Sequence, residues 1–98
     1  MKLELNDGTT MSVQANRWCY CTPRVDGANE YTAVEIGFPN RKIDLLMPYV
    51  EDASNPTDTV YAWVPTTVVA QVISNAGGVK SATNTYFKMA DINIPISE

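Results

Sequence analysis

Residues 2–13, Lys2-Leu3-Glu4-Leu5-Asn6-Asp7-Gly8-Thr9-Thr10-Met11-Ser12-Val13, constrain the fold of this chain more than any other stretch. Leu3 and Leu5 alternate with Lys2 and Glu4, and Met11 and Val13 alternate with Thr10 and Ser12. That is the period of two strands sharing one covered face. Register then selects the turn. A two-residue Asp7-Gly8 loop puts Glu4 opposite Met11 and mixes the faces. A three-residue loop, Asn6-Asp7-Gly8 with Gly8 left-handed, puts Leu5 opposite Thr9 and Leu3 opposite Met11, keeping one face apolar. The chain therefore reads as a β-sheet protein from its first residues.

The rest of the pattern extends that class. Residues 14–22 lose clean alternation: Ala15, Cys19 and Cys21 share one parity, Trp18 and Tyr20 the other. A long strand bending around a small barrel, covered on both faces or bulged, would read this way. Asp26-Gly27-Ala28-Asn29 predicts a turn. Residues 30–38 predict a strand with Val34, Ile36 and Phe38 inward, and residues 42–47 another with Ile43, Leu45 and Met47 on one face, stopped by Pro48. Residues 51–58 form the longest polar loop, and residues 59–64 a further strand rich in β-branched and aromatic residues.

One helix is expected, over residues 65–76. Pro65 suits its first position, Gly77 its left-handed end, and Val68, Val69, Val72, Ile73 and Ala76 one apolar stripe. Residues 83–89 and 92–96 are expected as the last strands. The sum is a mainly β domain with one helix, spanning residues 1–98: a small antiparallel sheet expected to curl into a barrel.

Composition narrows the function. Ninety-eight residues with an apolar share of 45% make one thin-cored globular domain, for which self-association is a reasonable expectation. A net charge of −4 argues against coating nucleic acid by bulk charge but leaves room for a local basic patch. The opening Met-Lys-Leu-Glu turns polar at once, so no signal peptide is expected, and the longest near-apolar run, residues 68–73, is far too short for a membrane span. The expected setting is cytoplasmic, with no membrane partner.

Chemistry is sparse. The chain has no histidine, so the usual general base near neutral pH is missing, and no nucleophile elbow, P-loop or dinucleotide fingerprint is present. Catalysis is not expected. Cys19 and Cys21 lack the further ligands a zinc centre needs and read as free thiols, while Glu51, Asp52 and Asp58 read as a solvated acidic loop. No cofactor or metal is expected. The informative group is basic and aromatic: Arg17, Trp18, Tyr20 and Arg24, with Arg41 and Lys42 in a later turn. Cations beside flat rings are how β-barrels hold single strands, the arginines and lysine taking phosphates and Trp18 or Tyr20 stacking on bases.

Over its full length, and most closely in residues 32–39 (Thr32-Ala33-Val34-Glu35-Ile36-Gly37-Phe38-Pro39) and 56–65 (Pro56-Thr57-Asp58-Thr59-Val60-Tyr61-Ala62-Trp63-Val64-Pro65), the chain resembles an ocean-metagenome family, attributed to cyanophages, with an Sm-like fold. Leu3-Glu4-Leu5-Asn6-Asp7-Gly8 is similar to the strand and Asn-Gly turn of the first Sm motif. The resemblance implies a small, strongly bent antiparallel β-barrel that assembles into a homo-oligomeric ring by pairing edge strands of neighbouring subunits, binding RNA or single-stranded DNA in the cytoplasm of an infected host. The chain departs from Sm proteins in lacking a leading helix and the Asp-x-x-Met-Asn base-binding signature, so no base-pocket residue carries over. A phage structural or host-interaction protein, docking a protein through its acidic surface, is the competing reading.

Overall fold

The opening hairpin forms in the expected register. In the computed structural model, which describes residues 1–96, strand β1 (Lys2–Leu5) pairs antiparallel with β2 (Thr10–Gln14), with Leu3 facing Met11. Gly8 is left-handed at φ 91, and the Leu5 N–H donates to the Thr9 carbonyl at 2.8 Å. Leu3, Leu5, Met11 and Val13 are buried on one face, while Lys2, Glu4, Thr10, Ser12 and Gln14 occupy the other.

Around this hairpin the chain builds one antiparallel sheet in the order β4-β3-β2-β1-β5, with β3 at Ala33–Gly37, β4 at Val60–Pro65 and β5 at Val79–Thr83. The mainly β class with one helix stands. The closed barrel does not: the sheet is open, with β4 and β5 at its two edges. Helix α1 (Thr66–Asn75) follows β4 directly, and Pro65, at φ −56 and ψ 140, is its N-cap rather than its first turn. Val69, Val72 and Ala76 bury against the sheet. Gly77 and Gly78 close the helix: the Gly78 N–H donates to the Ile73 carbonyl at 2.9 Å and the Gly77 N–H to Ser74 at 3.1 Å. Asn6 ties that end to the hairpin, donating from Nδ2 to the Gly77 carbonyl at 2.7 Å.

Three expected strands take other forms. Residues 44–49 are a 3-10 helix, because Ile43 and Leu46, three apart, are the buried pair and the Leu46 N–H bonds back to the Ile43 carbonyl, leaving Leu45 exposed. Phe38 turns outward just past β3 with φ 51, so it is not the inward residue its parity implies. Residues 84–96 run without a strand of their own. Met89 forms a parallel bridge with Tyr31, and Ile92 packs into the core with no ladder partner among the described residues.

The fourth difference positions the site. β2 stops at Gln14, which pairs with Glu35. Continued regularly, the ladder would bring Asn16 opposite Ala33. Instead Thr22 takes that place, exchanging backbone hydrogen bonds with Ala33. Residues 16–21 are thus an excursion out of the ladder rather than part of a long strand. The cause is local: the Asn16 side chain accepts the Trp18 N–H at 2.8 Å and its carbonyl accepts the Cys19 N–H, an Asx turn that competes with strand pairing.

Candidate nucleic-acid interface

The excursion folds back over the outer face of the sheet and is fastened there. The Tyr20 N–H donates to the Glu35 carboxylate at 3.3 Å, and the Tyr20 carbonyl accepts the Trp63 N–H at 3.0 Å. That N–H is free because β4 is bulged: the β3–β4 register shifts between Val34 and Ile36, and Trp63 sits at φ 48. The bulge turns Trp63 away from the core that takes Tyr61 and Val64. Its ring lies 4.9 Å from that of Tyr20, inclined by 37°.

One arginine flanks this pair and a second adjoins it through the loop backbone. The Arg24 guanidinium stands 5.4 Å from the centre of the Tyr20 ring, and its Nε donates to the Arg17 carbonyl. Arg17 lies 4.8 Å over Trp18. Asp26, on the turn expected at residues 26–29, accepts the Arg17 N–H at 3.0 Å and approaches its Nε at 3.4 Å. Trp18 is 75% exposed, Trp63 48% and Tyr20 38%. Exposed aromatic faces beside cations have the chemistry to stack on flat rings and to attract anions.

Four of the six expected residues, Arg17, Trp18, Tyr20 and Arg24, therefore come together. Arg41 and Lys42 lie elsewhere. Arg41 serves the hairpin turn, bonding the Asp7 carboxylate and the Thr9 hydroxyl at 2.9 and 2.8 Å. Asn40 stitches the same turn, accepting the Thr10 N–H and donating to the Gly8 carbonyl. Thr10 and Gln14 mark opposite ends of β2, about 13 Å apart by strand rise. Trp63 is the residue sequence reasoning misses, since no glycine marks the bulge that exposes it.

No known family model, curated protein or solved structure matches this chain.

Both cysteines lie within the excursion and are free thiols. Cys21 is buried, its Sγ within 3.1 Å of the Asn16 carbonyl, and Cys19 is half-buried. Burial pushes both thiols above their ordinary pKa, and the Glu35 charge adds to the shift at Cys19. Both stay protonated and poorly nucleophilic near neutral pH. In the acidic loop, Asp52 spends its carboxylate on the Ser54 N–H and the Asn55 amide. Among the described residues no three His, Cys, Asp or Glu side chains gather as a metal site, and no helix is long and apolar enough to cross a membrane.

Proposed function

We propose that this chain is a non-catalytic, Sm-like protein that binds single-stranded nucleic acid, RNA or DNA, on the outer face of its sheet. The observation that carries the reading is the Tyr20–Trp63 pair, held by one hydrogen bond from the Trp63 N–H to the Tyr20 carbonyl and one from the Tyr20 N–H to the Glu35 carboxylate, and flanked by Arg24. A base stacks on the exposed rings, and the arginines meet the adjacent phosphates. Stacking contributes about 1–3 kcal/mol per base, enough for binding despite the net negative charge. Fluorescence polarisation with labelled single-stranded RNA and DNA tests this. Binding at about 50 mM salt is expected, and none for either strand would overturn the reading.

Assembly into a ring by edge pairing belongs to the same proposal. The sheet order supports it by leaving β4 and β5 at opposite edges, as a head-to-tail contact requires. Among the described residues no backbone hydrogen bond leaves Lys80, Ser81 or Ala82 on the side away from β1. On β4, Val50 bridges Tyr61, the Glu51 N–H bonds Val60 and the Trp63 N–H already donates to Tyr20, so a neighbour would have only the remaining backbone groups of residues 62–64. Light scattering is expected to return a multiple of the 10.8 kDa subunit. A monomer at every concentration would refute the ring while leaving strand binding to its own assay.

A further inference from the structure

The outer face of the sheet presents a second strained aromatic that the Tyr20–Trp63 pair does not use. Phe38 has φ 51, and its side chain stands out, 56% exposed, while its N–H is anchored to the Thr59 carbonyl at 3.0 Å. Left-handed backbone is unfavourable for a bulky L-residue and persists where the surroundings impose it, often at ligand sites. Beside Phe38 runs an open groove of about 320 Å³ across β1, β2 and β3. Ser12 and Gly37, paired across β2 and β3, line it together with Lys2, Gln14, Asn84 and the methionines of β2 and the N-terminus. Asn84 is also left-handed, at φ 57.

The groove has the parts a planar heterocycle needs. Its volume is at the lower end for small-ligand sites, with one aromatic wall and a few converging polar groups. Gln14 spends one N–H on the Ser12 hydroxyl at 3.1 Å, which leaves its carbonyl and second N–H without a partner among the described residues. Gly37 keeps the groove open: an added Cβ would lie 3.6 Å from the Ser12 Cβ and 3.8 Å from Val60, ordinary contact that the sheet accepts. The groove also lies in line with the stacking pair. The Ser12–Gly37 and Gln14–Glu35 pairs are two residues apart, about 7 Å of strand rise, and Tyr20 is fastened over Glu35.

We propose that this groove is a second base subsite: it takes a base of the strand whose neighbour stacks on Tyr20 and Trp63, with the ring on Phe38 and its edge bonded by Gln14, Ser12 and Asn84. The assignment rests on the single-strand reading above. The test measures fluorescence polarisation of a fluorescein-labelled hexanucleotide, as RNA and as DNA, against wild type, W63A, F38G and G37A, with thermal melts to establish folding. F38G is expected to bind roughly 5- to 150-fold more weakly, the loss of one stacked base. G37A, which adds one methyl to the groove, is expected to bind roughly 10-fold more weakly. Should F38G not fold, G37A decides alone. Weakening by W63A with F38G and G37A at wild-type affinity would overturn the groove and leave the stacking pair standing. No binding by wild type would overturn both.

Discussion

Replacing Trp63 by alanine and by glycine separates what its ring does from what its backbone does. Both changes remove the ring, so both are expected to weaken oligonucleotide binding by the stacking of one base, about 1–3 kcal/mol or 5- to 150-fold in Kd. Their stabilities should differ in the reverse of the usual order. In an ordinary strand glycine is the worse residue, by roughly 0.5–1 kcal/mol. At φ 48, however, alanine carries the left-handed penalty of roughly 1–2 kcal/mol, which glycine escapes. The net favours W63G over W63A by about 1 kcal/mol, a difference in Tm of roughly 4–8 °C for a domain of this size. Thermal melts by circular dichroism read that ordering, and polarisation with the same samples reads affinity. W63A melting at or above W63G would refute the bulged conformation. Both variants binding as wild type does would refute the stacking role.

Three further outcomes follow from the geometry. Two arginines at the platform give a shallow salt dependence, with log K falling against log salt at a slope of roughly −1.4 for a single strand, and R24Q should bring it near −0.7; a slope unchanged by R24Q would remove Arg24 from phosphate contact. The Asp7 carboxyl is held below its usual pKa, first by the hydrogen bonds from Thr9 and then by Arg41, so its contribution to stability is complete above the ordinary carboxylate range and lost as pH falls through the folded value. D7N should therefore flatten the fall in Tm between pH 5 and about pH 2, and an unaltered fall would show the turn's hydrogen bonds to be idle. Leu3, fully buried at the centre of the hairpin face, should cost about 2–5 kcal/mol when changed to alanine, read by urea denaturation; a loss below about 1 kcal/mol would contradict its place in the core.

Legibility in the sequence followed how local the determining interactions are. The hairpin and helix were readable because turn chemistry at Asn6-Asp7-Gly8, the stop at Gly77 and the apolar stripe all act within a few residues. Residues 42–47 carry two patterns at once: Ile43-Leu45-Met47 alternates, yet Ile43 and Leu46 also fit a spacing of three, and packing chose the second. Ile92 and Ile94 pack on the core as their alternation implies, but strand formation needs a partner that no local pattern announces. At the site, the cation–aromatic cluster of residues 17–24 was visible as composition. Trp63 and Phe38 were not, because strict alternation places each on the buried face. Only the β4 bulge and the left-handed turn after β3 bring them out.

The excursion at residues 16–21 leaves the ladder and returns to it at the place its own continuation would have filled, with Thr22 standing where Asn16 would have paired. Sheet register is therefore indifferent to how long that loop is. The fold behaves as a socket and the loop as an insert, fixed at its two ends, at Tyr20 and at Cys21, whose side chain belongs to the core. Lengthening or replacing the loop around those fixed points offers a route by which this scaffold could change what it presents on its outer face.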